Sequence, residues 1–527
     1  MSVFYLMRYF GAKVPRGFIN RDHFSAYLGM IIPFALGLLF VPSLSANRKP
    51  QTANRILLSF CIITMGAALF FTMSRGGILS FIAALLFMAV LIFRRKPIER
   101  KAWTLSAITV LIILTIAWLG ATPVVERILS VKAEIVSRYF GGRLPVWQGT
   151  LGIIKDYPIF GTGPGTFNYV FPKYQSAEII TSRWVHAHSD VLEFISEVGI
   201  IGLVLFLVFG FWFLAYLFRR FNRRNDPWVL CVSVGLFASL AGIFLHSFTD
   251  FSLRIPANAI LLVLILAITL VVLHLKKDRF GERLIFRKIF FRFSREATVT
   301  ESGFREVLPE IFRVSFYPLV LIIFGFYIFA CLRPAIADYY FRLALSSNKN
   351  APAAIRCILN ATRIDPENAK YHYYMGGLYC DQAVNLQRYN RLIVTVEQLK
   401  DAIGEYKKAV ELNPMESKYH QSLAWVYGQL AKLSKPVSSL DSQVPAYIRM
   451  ANKHFQTAIS FEPNNPYRHR AFAIWLFGYP AEGNIKKGIA EYKKAVELNP
   501  ELAKEMEEFL LKYKHKFELT AIGHDNY

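Results

Sequence analysis

Eight apolar runs of about membrane-crossing length constrain this chain more than any single motif in it. They lie at roughly 25–41, 56–73, 77–93, 104–121, 199–218, 228–246, 256–274 and 315–332. A hydrocarbon core about 30 Å thick takes roughly 20 apolar residues of helix, because every backbone polar group must be satisfied within the segment. The first run is short, and only Ser74-Arg75-Gly76 separates the second from the third. With 54% hydrophobic residues and 45 phenylalanines in 527 positions, one soluble domain could not bury this surface. The expected fold class is all-α, a polytopic membrane helix bundle.

The formal charge of +24 would suggest nucleic acid in a soluble protein. Here the cations sit between apolar runs, which points to topology instead. Arg48, Lys49 and Arg55 form one basic connection, Arg94 to Lys101 a second, and Arg219 to Arg224 a third. The fourth runs from Lys276 to Arg295. If eight spans alternate, all four fall on one side, which the positive-inside rule makes cytoplasmic. The opposite face then holds residues 1–24, Ser74–Gly76, the segment 122–198, the turn His246–Arg254, and everything after 333. The opening MSVFYLMRYFGAKVPRG lacks the order of a cleavable signal peptide. An outer N-terminus before a short first run suggests that helices precede Met1. The five cysteines, at 61, 231, 331, 357 and 380, form no CxxC, so neither a disulfide framework nor a zinc knuckle is expected.

The tail follows a different rule. EYKKAVELNP occurs at 405–414 and again at 491–500, and Pro366, Pro414, Pro463 and Pro500 are 48, 49 and 37 residues apart. Each proline ends a helix of small and apolar residues and precedes another. This pattern resembles tetratricopeptide helix pairs, whose period is about 34, with insertions. Residues 335–520 are therefore expected to form a repeat solenoid. It would be either a concave protein-binding surface or a rigid cap.

Unusual polar residues gather on the outer face. Arg75 in TMSRGG is expensive at membrane depth unless it has a counter-charge or a wet cavity, and it is either a snorkelling interfacial arginine or a cation that holds a phosphate. Arg143 in FGGRLPVW lies near the surface. FGTGPGTF (160–167) lacks the GK[ST] ending of a nucleotide loop, leaving either an anion-facing turn at Gly163 or a plain bend. WVHAHSDVLEFISEVG (184–199) carries His186 and His188, then Glu193 and Glu197, which align four apart on a helix. Its histidines can act in acid–base chemistry, cap or pack a helix, or bind metal with ligands from elsewhere. In HSFTDFSLRIPANA, His246, Asp250 and Arg254 form a ladder on one face if the turn is helical; the alternative is a helix broken before Pro256.

In chain order, GFINRDHFSAYL, TMSRGG, GGRLPVW, FGTGPGTF, WVHAHSDVLEFISEVGIIGL and HSFTDFSLRIPANA resemble the bacterial O-antigen ligase and polymerase family over about residues 15–275. The resemblance implies a GT-C-like, metal-independent membrane glycosyltransferase without a cofactor. It would take a glycan from undecaprenyl diphosphate at the periplasmic face. The acceptor would be lipid A-core, another glycan, or a protein hydroxyl. His188, Arg75 and Arg143 take the catalytic roles it implies, with His186, His246, Asp250, Arg254 and Gly163 as substrate contacts. The expected organisation is a ligase-like membrane domain at 1–275 with a periplasmic loop 122–198 and a basic cytoplasmic linker at 276–314. An eighth transmembrane helix at 315–332 and the periplasmic repeats at 335–520 follow, all in the bacterial inner membrane. Three features depart from the family: HAHS replaces HAHN, NRDHF replaces NPNHF, and eight spans fall short of the usual ten to twelve. A lipid-linked glycan transporter and a non-catalytic scaffold are the competing readings. The scaffold reading gives the repeats a protein partner.

Overall fold

The computed structural model describes residues 20–41, 52–94, 143–179, 183–277, 284–286, parts of 322–346, 352–388, 391–434, 442–478, and 482–508 apart from 506. The expected span at 104–121 and most of that at 315–332 lie outside these residues. The chain divides into two compact units, one of Met1–Tyr174 with Ser182–Phe291 and one of Gln175–Thr181 with Arg292–Tyr527.

Among the described residues of the first unit, six helices are long and apolar enough to cross a membrane. They are α1 (Arg21–Leu39), α2 (Thr52–Phe71), α3 (Arg75–Phe93), α6 (Asp190–Asn222), α7 (Pro227–His246) and α8 (Pro256–His274). The surface helices α4 (Arg143–Asp156) and α5 (Phe167–Val170) come between α3 and α6. A short antiparallel ribbon, Leu275–Lys277 with Leu284–Phe286, is the exception to an otherwise helical chain among the described residues, and it begins the stretch expected as a basic linker.

Helix α7 is the axis of this bundle, with Leu230, Val234, Leu236, Phe237 and Ile243 all in its core. Its backbone lies close to α1, where Ser239 Oγ donates to the Met30 carbonyl at 2.6 Å. Small residues allow such approaches where packing, not water exclusion, drives association. By contrast α6 shows lipid-suited side chains over most of its second half, including Phe206, Phe209, Phe211 and Trp212.

One feature of α6 escapes any apolar plot. Gly199 sits inside it at φ 64° and ψ −167°, a conformation open essentially only to glycine, and it breaks the helix. The break frees backbone groups on both sides, and the FGTGPG loop takes them. Thr162 N–H and Gly163 N–H donate to the Ser196 and Glu197 carbonyls at 3.0 and 2.8 Å. Ile200 and Ile201 donate to the Pro158 and Ile159 carbonyls at 2.8 and 3.2 Å. The expected apolar run beginning at residue 199 is therefore the second segment of a longer, interrupted helix.

Among the described residues of the second unit, a helical stretch at 332–346 is followed by α9 (Pro352–Ile364), α10 (Ala369–Arg388), α11 (Leu392–Leu412), α12 (Ser417–Ser434), α13 (Val444–Phe461), α14 (Pro466–Gly478) and α15 (Glu482–Leu498). Pro366, Pro414 and Pro463 each lie in a turn between two of them. Tyr406, Leu423, Tyr427, Phe455, Phe472 and Trp475 pack in the main core.

Candidate active site

The polar ends of α1, α3, α6, α7 and α8 meet. Asn20 caps α1, its Oδ1 accepting from Asp22 N–H at 2.8 Å, which sets Asp22 and His23 in the first turn. The α2–α3 turn ends in Ser74, whose Oγ caps α3 by accepting from Gly77 N–H at 3.2 Å. A Cβ on Gly76 would stand 2.3 Å from Thr249 Oγ1, and one on Gly77 would stand 2.2 Å from Ser25 Oγ. The glycine pair thus lets the start of α3, and with it Arg75, approach α1 and the turn after α7. Arg75 is half-buried.

Asp250 is the centre of the arrangement and is 1% exposed. Its carboxylate lies 3.6 Å from His23 Nε2, 3.6 Å from His188 Nδ1 and 3.8 Å from His246 Nε2. These distances exceed hydrogen-bond length, and the three nitrogens and Asp250 Oδ1 have no hydrogen-bond partner among the described residues. Catalytic contacts are often long without substrate and tighten around it. Burial pushes the Asp250 carboxyl up, but His188, His246 and His23 outweigh it and hold the group well below the usual carboxylate range. Ser252 Oγ also donates to Asp250 Oδ2 at 3.0 Å.

His246 can be assigned a tautomer. Ser80 spends its hydroxyl proton on the Gly76 carbonyl at 2.6 Å, so at 3.3 Å it accepts from His246 Nδ1. A neutral His246 then turns a bare Nε2 toward Asp250, and a proton on that nitrogen converts the contact into an ion pair.

His188 is 24% exposed at its side chain and has φ 52°, left-handed for a non-glycine residue. His186 makes a different contact: its Nδ1 lies 2.9 Å from Glu193 Oε1, while Ala187 N–H donates to Glu193 Oε2 at 2.8 Å. The two histidines nonetheless share Phe251, which His186 stacks at 4.3 Å and His188 and His23 meet edge-on at 4.8 and 4.7 Å.

The two remaining arginines are both engaged. Arg143 Nη1 donates to the Thr249 carbonyl at 2.8 Å and Nη2 to Asp22 Oδ2 at 3.1 Å. Arg254 Nη2 meets Glu197 Oε2 at 2.6 Å and lies 3.5 Å from Glu193 Oε1. Burial works against its charge, but these carboxylates overcome that effect and raise its pKa.

The expected ladder His246, Asp250 and Arg254 is corrected here. Helix α7 ends at His246, a turn follows, and Ser252–Arg254 form a separate 3-10 turn. Asp250 therefore stays with His246 while Arg254 turns to α6. Gly163 N–H, expected as an anion contact, donates to Glu197 instead. Glu193 and Glu197 do align, and Arg254 is what they align on. The structure also adds His23, Asp22, Phe251 and Asp190. Asp190 Oδ2 accepts from Leu253 N–H at 3.0 Å, and its own N–H donates to the Asp250 carbonyl. Asp22 and His23 stood in NRDHF, but their partners are more than 100 positions away. Among the described residues no group of three or more His, Cys, Asp or Glu could hold a metal ion.

Residues 60–207 match the family model for O-antigen ligase. The match contains Arg75, Arg143, Gly163, His186 and His188 and stops before the His246–Arg254 turn. The chain is also 27% identical over 208 residues to a Rickettsia felis protein named "Putative polysaccharide ligase", covering 36% of this chain and 47% of that one. The chain thus spans about half the length of this relative. Among solved structures, the crystal structure of MamA aligns with 32% of this chain and 81% of its own at 16% identity and a TM-score of 0.23, a likeness that carries no argument. Over residues 60–207 the membrane part of the chain is thus similar to the O-antigen ligase family.

Proposed function

We propose that this membrane part is a glycosyltransferase that moves a glycan from undecaprenyl diphosphate onto an acceptor hydroxyl, at the periplasmic face of a bacterial inner membrane. The observation that carries the reading is the buried Asp250 carboxylate set against His188, which is half-buried and held in a left-handed backbone. The family match supports the same reading.

The acceptor oxygen attacks the anomeric carbon as the carbon–oxygen bond to the diphosphate breaks, and the diphosphate leaves with the electron pair. His188 turns Nδ1 to Asp250, which leaves Nε2 to take the acceptor's proton. Asp250 then stabilises the imidazolium, as a buried carboxylate does behind a catalytic histidine. Arg75 and Arg143 face the departing charge. Arg143 uses two N–H groups on Thr249 and Asp22, and among the described residues three of its five donors remain. Attack opposite the leaving group inverts the anomeric configuration. His186 is partly exposed and lines the approach, His246 is buried beside Asp250, and Gly163 and Arg254 fix the loop to the start of α6.

Lipid A-core is the first acceptor to test, with another glycan or a protein hydroxyl as the alternatives. The second unit is read as a tetratricopeptide-like solenoid that presents a protein-binding surface. Purified full-length protein incubated with lipid-linked donor and delipidated-core, glycan and peptide acceptors checks the chemistry. Transfer that survives EDTA and is lost in His188→Ala and Arg143→Ala is the expected result. Equal transfer by both variants sinks the assignment, and donor translocation without any new glycosidic bond favours a transporter.

A further inference from the structure

Three prolines of the second unit govern a repeated histidine contact. His372, His420 and His469 each lie six residues after Pro366, Pro414 and Pro463, and each has Nε2 on that proline's carbonyl, at 2.9, 2.8 and 2.8 Å. A carbonyl only accepts, so in all three rings Nε2 carries a proton. The other nitrogen, Nδ1, reaches across to the next helix, to a residue nine positions before the following proline. From α10 it meets Glu405 Oε2 on α11 at 2.7 Å, and from α14 it meets Glu491 Oε2 on α15 at 2.6 Å. In the middle pair the corresponding residue of α13 is His454, and the contact is His420 Nδ1 to His454 Nδ1 at 3.0 Å.

The proton count differs between these joints. A glutamate accepts, so its histidine is welcome as an imidazolium. With two imidazoles and Nε2–H of His420 already fixed, the neutral contact requires His420 Nδ1 bare and His454 Nδ1–H as donor. One added proton can settle on His454 Nε2 and leave the contact intact. A second places hydrogens on both Nδ1 atoms and two positive charges face to face. The other charges bearing on His454 are Lys407 of α11 and its neighbour Lys453, both cations that worsen the case. Around the rings lie Tyr427, stacked on His454, and Phe461, tilted on His420, and among the described residues no carboxylate acts on either ring.

We propose that the α12–α13 contact is a proton-sensitive joint in an otherwise acid-tolerant stack, loosening on acidification while the α10–α11 and α14–α15 joints hold. The two helices also wall a cavity of about 430 Å³, with Gln421, Trp425 and Gln429 from α12 and Phe455 from α13, so loosening reshapes that cavity. Burial depresses His420, and burial followed by His420 and the lysines depresses His454 to about 4. The signs follow. Groups held below their ordinary value of 6.5 contribute stability above that pH, and it is lost as pH falls toward 4. For His372, the hydrogen bond to Glu405 outweighs burial. For His469, burial is the larger single effect, but Glu491 and the Pro463 carbonyl together outweigh it. Both are raised, so their contribution is fully present below 6.5 and lost as pH rises through the raised value.

Hydrogen exchange of the full-length protein in detergent, corrected for intrinsic rate, reads the joints separately. Between pH 7.5 and 5.0, exchange in α12 and α13 is expected to speed up by roughly tenfold or more, while α10 and α11 hold or slow as the His372 contribution is recovered. His454→Glu restores the common joint and is expected to abolish the difference. His454→Gln, whose amide can donate or accept, does the same without adding charge. Unchanged exchange in the wild type overturns the proposal. So does equal acceleration in all helices, or a pH response that survives both substitutions.

Discussion

Ser189 closes the HAHS run as the N-cap of α6, its Oγ accepting from Leu192 N–H at 3.3 Å. Asparagine, which the family more often has there, is an equally good cap, so the departure is conservative in physical terms. Ser189→Asn is expected to leave transfer and melting temperature unchanged. Ser189→Ala is expected to cost about 1 kcal/mol, read from detergent melting of the two variants. Asp250→Asn should be far more severe for chemistry. It removes the charge that pairs with the imidazolium, and a 10²- to 10⁴-fold loss of transfer is expected on the scale of general-base catalysis. The pH profile separates the players. Asp250 is held below the usual carboxylate range, so its contribution is present above pH ~4 and lost only as pH falls through its depressed value. It stays ionised from pH 5 to 8, so an inflection of the transfer rate there does not come from Asp250. An inflection that persists in His188→Gln would remove His188 from the base role.

At the scale of elements, the site depends on how helices end. Caps at Asn20, Ser74 and Ser189 and the termination of α7 at His246 bring one end of each helix to Asp250. Gly199 is the most exacting position. It combines positive φ with a Cβ direction that would meet the Ile159 carbonyl at 2.3 Å. Gly199→Ala is expected to detach the 158–163 loop and cost roughly 1–3 kcal/mol from the backbone strain alone. Limited proteolysis near residue 160 together with the melting temperature checks this; intact loop protection would count against it. The sequence made both halves of this joint visible, as FGTGPG and as EVG. It gave no sign that they belong to each other, because a glycine-rich bend and a helix break each have many local explanations.

On the whole-molecule scale, the described spans place basic residues Arg55, Arg94 and Arg219–Arg224 at the ends opposite the Asp250 cluster. Helix α3 runs away from the cluster, and Arg143 returns to it through Asp22 and Thr249. Impermeant thiol labelling of Thr166→Cys and Asn222→Cys in intact cells should modify only the first. Labelling of both, or of the second alone, would overturn the assigned sidedness. Hydropathy along the chain was sufficient to determine the membrane class and the positions of the six spans that lie among the described residues. These are properties of local composition and period, and the bilayer enforces them segment by segment. Only tertiary structure decided that Asp250 faces three histidines, that His186 serves Glu193, and that Arg254 answers carboxylates rather than a ladder. Those contacts join residues up to 227 positions apart, and packing at the helix ends selects them.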